Sequence, residues 1–424
     1  ALETLRSHPG IDYRAVRAAK ERALELAYAH FLRTEWRTDS RRAQDIRRFT
    51  DDAGGWLASY ALFRSCHAAY GARSWREWDL GLRERRPDRL AAAQSAFEPA
   101  RRFHTYVQWL AATQWAAARR EASAAGVRIA GDLPFMVGED SADVWERQSQ
   151  FSLDATLGAP PDAFNAAGQE WGLPVCRWDV MAGAGFDWLR ARVGRAAELF
   201  DALRLDHVVG FFRMYVIPPH GAGSFVPGDG AEQLARGEQL LGVVREAVGD
   251  TALIGEDLGV VPDFVRAVLT RMALPGYRVL RWEADGPVFR DPATYPLRSV
   301  ATTGTHDTSA LATWWSEELD DEGRRALAAV PSFGGLAGVA SREYTPAVRA
   351  ALLGGLYAAA SELVVLPFQD VYGGRERINV PATVGPGNWS YRLPWTQAEL
   401  AGPAGQELRD RLFALAAGRA RARN

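Results

Sequence analysis

The sequence predicts an α/β fold built on parallel strands, and three observations predict it. From residue 127 onward, short apolar runs alternate with amphipathic helical stretches, the rhythm of βα units. Three of those runs end in an acid. Asp206 closes Leu203-Arg204-Leu205, Glu256 closes Leu253-Ile254-Gly255, and Asp307 closes Thr303-Gly304-Thr305-His306. Parallel barrels gather their active sites at the carboxyl ends of the strands, so acids in these positions are what such an enzyme needs. Finally, 424 residues with 47% hydrophobic content suffice for one large α/β domain with additions.

Residues 1–125 read as mostly helical. Stretches 14–33 and 104–125 are rich in Ala, Leu, Glu and Arg, with apolar residues at three-to-four spacing. Gly54-Gly55, Gly71 and Pro87 punctuate shorter helical pieces between them. Strands are expected at 127–133, 203–208, 252–258, 277–282, 299–305 and 363–368. Helices are expected at 188–203, 231–248, 263–272 and 347–361. That makes six strands, where a closed barrel of this kind has eight. The pattern fits either a doubly wound sheet or a barrel that the chain joins partway. The expected division is a helical subdomain over 1–101 and a catalytic domain with loop insertions over 102–424.

A formal charge of −2 gives no reason to expect nucleic acid or an anionic membrane as partner. No apolar run reaches the roughly 18–20 residues that span a bilayer. Cys66 and Cys176 are the only cysteines, which fits a reducing cytoplasm better than a disulfide framework. Lys20 is the only lysine, and arginine carries the remaining positive charge. The sequence starts at Ala1 rather than Met, so processing or truncation of the start is an open expectation.

Along a strand, alternation puts Arg204 and Asp206 on one face and Leu205 on the other. A cation there favours the ionised carboxylate that a nucleophile requires, although a plain strand-end ion pair gives the same pattern. Glu256 and Asp257 are adjacent, so only one of them faces the site. A partly buried Glu among carboxylates holds its proton and suits a general acid, while Asp257 reads as a cap for the turn at Gly259. His306-Asp307 lacks any metal-ligand spacing, and Ser309 lacks a nucleophile elbow, so neither a metal nor a serine triad is expected. Asp132, in Gly131-Asp132-Leu133-Pro134, reads either as a ligand for substrate hydroxyls or as the residue ordering the turn before Pro134. Most of the 15 tryptophans read as core. Trp171, Trp178 and Trp389, in Gly-, Pro- and Asn-rich stretches, are better candidates for a sugar-lined groove than Trp109 or Trp115. Gly221 to Gly230 reads as loop.

Taken together, these motifs resemble the 4-alpha-glucanotransferase family, the amylomaltases or disproportionating enzymes of glycoside hydrolase family 77. The resemblance is carried by Arg204-Leu205-Asp206-His207, Gly255-Glu256-Asp257-Leu258-Gly259 and Thr303-Gly304-Thr305-His306-Asp307. Further similar stretches are Gly131-Asp132-Leu133-Pro134, the run from Glu139 to Trp145, Pro160-Pro161-Asp162 and Gly168-Gln169 with Trp171-Gly172. Gln369-Asp370-Val371, Arg377-Ile378-Asn379 and Gly387-Asn388-Trp389 complete the set in the family's order. The resemblance implies a (β/α)8 barrel with helical insertions, entered here at its third strand, and a retaining mechanism without cofactor. It implies Asp206 as nucleophile, Glu256 as acid/base and Asp307 as transition-state stabiliser. Arg204 would steady the nucleophile and His306 would bond the sugar. Asp162, Gln169, Trp171 and Asn379 would line the subsites for α-1,4-glucans. An α-glucan hydrolase of the same mechanism and a non-catalytic glucan-binding protein are the alternatives. Three departures stand out: the family's first two barrel strands and its Ser-Pro-Tyr loop for the donor sugar are not found, Ala163 precedes Phe164 where the family has an aromatic, and Thr308-Ser309 replaces its usual Asn-Asp.

Overall fold

The computed structural model describes residues 2–161, 168–336, 341–381 and 383–417. Contacts divide the chain into two compact units, Arg14–Leu253 and Ala1–Tyr13 with Ile254–Asn424.

The longer helices that open the first of these are α1 (Tyr13–Phe31), α2 (Arg41–Ala53), α3 (Gly55–Ala69), α4 (Pro87–Ala96) and α5 (Glu98–Ala124). Their ends follow local chemistry. Ser40 caps α2 by accepting the Ala43 amide, and Pro87 occupies the first turn of α4, where its missing N–H costs nothing. Gly54, at φ +63, turns the chain between α2 and α3, a conformation that other residues adopt only under strain. Phe31, Ala43, Ile46, Tyr106 and Trp109 form one buried cluster among these helices. Lys20 is exposed on α1.

Strand β1 (Ala130–Leu133) follows, then β2 (Phe151–Ala159), β3 (Gln169–Cys176), helix α6 (Asp187–Leu199) and β4 (Ala202–Leu205). β1 and β4 run parallel, with Asp132 opposite Arg204 and Leu133 opposite Leu205. Two further strands, β5 (Met214–Ile217) and β6 (Ser224–Val226), complete an antiparallel sheet in the order β3-β2-β5-β6. That sheet is absent from the expectations above. Trp171 lies in β3 rather than in a loop, and β6 falls within the stretch read as loop. The cause is visible in the strands. Gly158, Gly172 and Pro174 interrupt the alternation, and the β2–β3 register shifts on both sides of Leu157. Helix α7 (Gly230–Val248), capped by Asp229, leads to β7 (Ala252–Gly255) at the division between the units.

In the second unit, α8 (Asp263–Arg271) leads to β8 (Gly276–Val279) and then β9 (Ser299–Thr302). Helix α9 (Pro346–Tyr357) precedes β10 (Leu363–Val364) and α10 (Phe368–Tyr372). β9 pairs in parallel with both β8 and β10, and Gly255 pairs with Gly276 in the same sense. Leu280, Trp314, Trp315, Phe333, Leu352 and Leu356 belong to the buried core of this unit.

All six expected parallel strands form; β1 starts late but reaches its expected end at Leu133, and the other five stop short of theirs. Apolar character misleads here because residues such as Val208, fully buried in a 3-10 turn, are covered without joining the ladder. The tryptophans are mostly core, as expected. Trp178 is one of them, buried at the start of a short helix (Trp178–Gly183), so it is no groove residue: its neighbours, not its loop-like composition, decide its burial. Cys66 and Cys176 are free and buried. No helix among the described residues is long and apolar enough to cross a membrane.

Phe200, one residue past α6, packs on β1, and its ring would lie 2.3 Å from a Cβ added at Gly131. Gly131→Ala is therefore expected to cost about 1–3 kcal/mol by overpacking. Gly242→Ala in α7, where nothing lies within 4 Å of the new Cβ, is expected to be neutral or stabilising. Thermal melting of both variants checks the pair. An equal response at the two positions would contradict this packing.

Candidate active site

At the carboxyl end of β1 and β4, one arginine stands between two acids. Arg204 Nη1 donates to both Asp132 oxygens at 2.7 Å and to Asp206 Oδ1 at 2.9 Å. The other Asp206 oxygen accepts from the Phe135 amide at 3.4 Å, and the Asp206 amide donates to the Leu133 carbonyl at 3.1 Å. Both carboxylate oxygens and the backbone of Asp206 are thus fixed just beyond the last strand residue. The loop supplying Phe135 is itself held from α6. Arg192 donates to the carbonyls of Pro134 at 2.6 Å and of Phe135 and Met136 at 3.3 Å.

His207 adopts a left-handed conformation, φ 45, and its ring meets those of Phe135 and Trp171 edge-on, with centroids 5.7 and 5.1 Å away. Desolvation pushes its imidazole from an ordinary 6.5 down to about 4, against the pull of Asp206 and with a smaller push from Arg213. Trp171 Nε1 donates to Gln169 Oε1 at 3.1 Å. This unit therefore strings Gln169, Trp171 and His207 together beside Asp206.

In the other unit, Asp307 follows β9. Its Oδ1 accepts from Asn379 Nδ2 at 2.7 Å, and its carbonyl accepts from Arg377 at 2.6 Å. His306 Nε2 lies 3.5 Å from Asp307 Oδ2, and the His306 carbonyl accepts from the Asn379 amide at 3.1 Å. The loop is clamped at both ends from below. Asp370, 1% exposed, accepts from the Thr303 hydroxyl and, at 2.7 Å, from the Leu311 amide. Burial pushes its carboxyl up, opposed by those two hydrogen bonds and by Arg281. Arg281 donates to the hydroxyl and the carbonyl of Ser309, each at 2.8 Å. The departure at Thr308-Ser309 is thereby accommodated, since Thr308 Oγ1 closes the turn by accepting from the Thr305 amide at 3.0 Å.

Glu256 follows β7 and is half-buried. Asp257, 2% exposed, accepts from the Tyr277 amide at 2.6 Å and pairs with Arg278 at 3.3 Å and Arg266 at 3.6 Å. It braces β7 against β8 rather than capping a turn, because the amide it accepts from belongs to β8. The bend itself falls at Gly259, φ +80. Successive parallel pairs, Gly255 with Gly276 and Gly276 with Ser299, put Glu256 and Asp307 at the same edge of this unit's strands. Among the described residues no group of three or more His, Cys, Asp or Glu could hold a metal ion.

A family model described as 4-alpha-glucanotransferase matches residues 1–397. The chain belongs to the 4-alpha-glucanotransferase family. It is 34% identical to the Thermus thermophilus 4-alpha-glucanotransferase over 94% of this chain and 79% of that one. It is 30% identical to the Synechocystis enzyme over 91% of this chain and 76% of that one. Among solved structures it is similar to the Streptococcus agalactiae amylomaltase in complex with acarbose. There the TM-score is 0.82, with 26% identity, 97% of this chain and 81% of that chain covered. The Corynebacterium glutamicum amylomaltase, at 23% identity and a TM-score of 0.75 over 96% of this chain and 60% of that one, shares the fold. The six parallel strands therefore read as part of a barrel, as in these amylomaltases, and the doubly wound sheet does not stand.

The structure brings Asp132, Arg204, Asp206, Gln169 and Trp171 together in one unit and His306, Asp307 and Asn379 in the other. Asp162 lies outside the described residues, as does Phe164. Two supporting residues, Arg192 and Arg281, were missed, and Asp370 was singled out only as part of a family motif, without its bracing role. Arg192 had a signal, since it shares a helical stripe with buried Trp188, on whose ring it stacks at 5.4 Å. Arg281 had none, and the motif around Asp370 does not disclose its partners, Thr303 and Leu311, which lie far away in sequence.

The His207 shift has a consequence for stability. The unfolded chain protonates this imidazole near pH 6.5, whereas the folded one resists until about 4, so stability falls as pH drops through that window. His207→Asn, which does not titrate and tolerates the left-handed backbone, is expected to flatten the fall. Melting temperatures above pH 7 and near about pH 5 check the sign. A fall as steep as the parent's would move the effect elsewhere, to His104, which burial shifts the same way.

Proposed function

We propose that this chain transfers α-1,4-glucan segments between maltooligosaccharides by a retaining double displacement. Asp206 attacks the anomeric carbon while Glu256 gives its proton to the departing glycosidic oxygen, releasing the reducing-end fragment and leaving a glycosyl ester on Asp206. Glu256, now a base, takes the proton of an incoming 4-hydroxyl, whose oxygen displaces Asp206 and restores the α-1,4 bond. Asp307, held by Asn379, supports the positive charge that develops on the sugar ring.

The anchoring of Asp206 is the observation that carries the reading. With one oxygen on Arg204 and the other on the Phe135 amide, the carboxylate cannot rotate away, and it attacks without first being oriented. Asp132, Arg204, Gln169, Trp171, His306 and Asn379 are the proposed sugar contacts. Trp171 beside His207 offers an aromatic face for an acceptor sugar, which favours transfer over hydrolysis. We propose a cytoplasmic location from the two free, buried thiols.

Maltotriose is expected to yield glucose together with maltooligosaccharides longer than itself, read by chromatography of the products. Glucose and maltose alone would mean hydrolysis. Asp206→Asn is expected to lower kcat by at least about 10³-fold with the melting temperature retained. A variant that still released glucose at the parental rate would remove Asp206 from the nucleophile role.

A further inference from the structure

Trp389 has a backbone conformation that tryptophan rarely adopts. Its φ is +56, in the left-handed region, where a bulky residue is held only by surroundings that enforce it. The surroundings do so from three sides. The Trp389 amide donates to the Ile378 carbonyl at 2.7 Å, and its carbonyl accepts from the Tyr13 hydroxyl. The preceding residue stitches the loop across: Asn388 Oδ1 accepts from the Val380 amide at 3.1 Å, and Nδ2 donates to the Thr383 carbonyl at 3.0 Å.

Burial is not what this strain achieves, because Trp389 stays 51% exposed. It sets the indole against His306 instead, with ring centroids 5.2 Å apart and planes 37° apart. The loop that fixes Trp389 also fixes the acid. Ile378 takes the Trp389 amide, and its neighbour Asn379 bonds Asp307. A bare aromatic face is thus held rigidly beside His306, Asp307 and Asn379. Such a combination, a flat apolar face next to clustered donors and acceptors, matches a pyranose ring, whose C–H face stacks while its hydroxyls bond sideways.

We propose that Trp389 is a sugar-stacking platform that takes one glucose unit of the bound α-glucan next to His306. This rests on the α-glucan reading above. The strained loop presents the ring before the sugar arrives, so that little freedom is lost on binding.

Binding of maltoheptaose to the full chain carrying Asp206→Asn, which suppresses turnover, tests it by calorimetric titration. Adding Trp389→Ala is expected to weaken binding about tenfold, and Trp389→Phe to keep it within about threefold of the Asp206→Asn parent. Trp389→Gly, which adopts the same φ without strain, is expected to lose binding like the alanine variant with a melting temperature no lower than the parent's. Unchanged affinity in Trp389→Ala, alongside tight binding by the parent, would overturn the platform and leave the α-glucan reading standing. No binding by the parent would overturn the α-glucan reading and the platform with it. A lowered melting temperature with unchanged affinity would make Trp389 a folding residue or the centre of a protein-docking patch with exposed Val380 and Leu393, and would likewise overturn the proposal.

Discussion

The three parallel strands that lead to Asp206, Glu256 and Asp307 each stop before the acid. The backbone at the acid is therefore held by side chains, not by the ladder, and the remaining architecture follows from that constraint. Asp206 is one residue past β4, and Arg204, Arg192 and the Phe135 amide replace the missing strand partners. Asp307 is five residues past β9, and the compensation is larger: Asp370 and Arg281 below, Asn379 and Arg377 above. Glu256 follows β7 directly, and its neighbour Asp257 ties that strand end to β8. Most of these braces are arginine or aspartate, whose several hydrogen-bonding sites let one side chain hold two or three points at once.

This division of labour explains why parts of the fold were legible and others were not. Strands and acids were legible because burial imposes a pattern on neighbouring residues, and the carboxyl end of a parallel strand is a fixed address. The antiparallel sheet was not, because glycines, a proline and register shifts break the alternation on which such a reading depends. Trp178 was misread for a related reason: its local composition looks like loop, while its burial depends on residues far away in sequence. The braces themselves are tertiary. Nothing around Asp370 announces that it closes a loop beginning at Thr303.

Some motifs that carry the family resemblance turn out to be architectural. Asp140 accepts from the Trp75 amide at 3.1 Å, and Asp143 accepts from Trp188 Nε1 at 2.8 Å, so the stretch ending at Trp145 ties helical segments together. Its resemblance to the family records the cost of leaving buried indole and amide groups unpaired. The acids and the struts share one sequence signature for different physical reasons.

The arginine bias leaves the molecule with a single exposed lysine, on α1. Amine-directed chemistry thus meets one side chain in a chain of 424 residues, in a helix that carries none of Asp206, Glu256 and Asp307. A fluorophore, a surface or a crosslinker attached there reports from one known point. Every molecule so tethered through that side chain is held by the same residue.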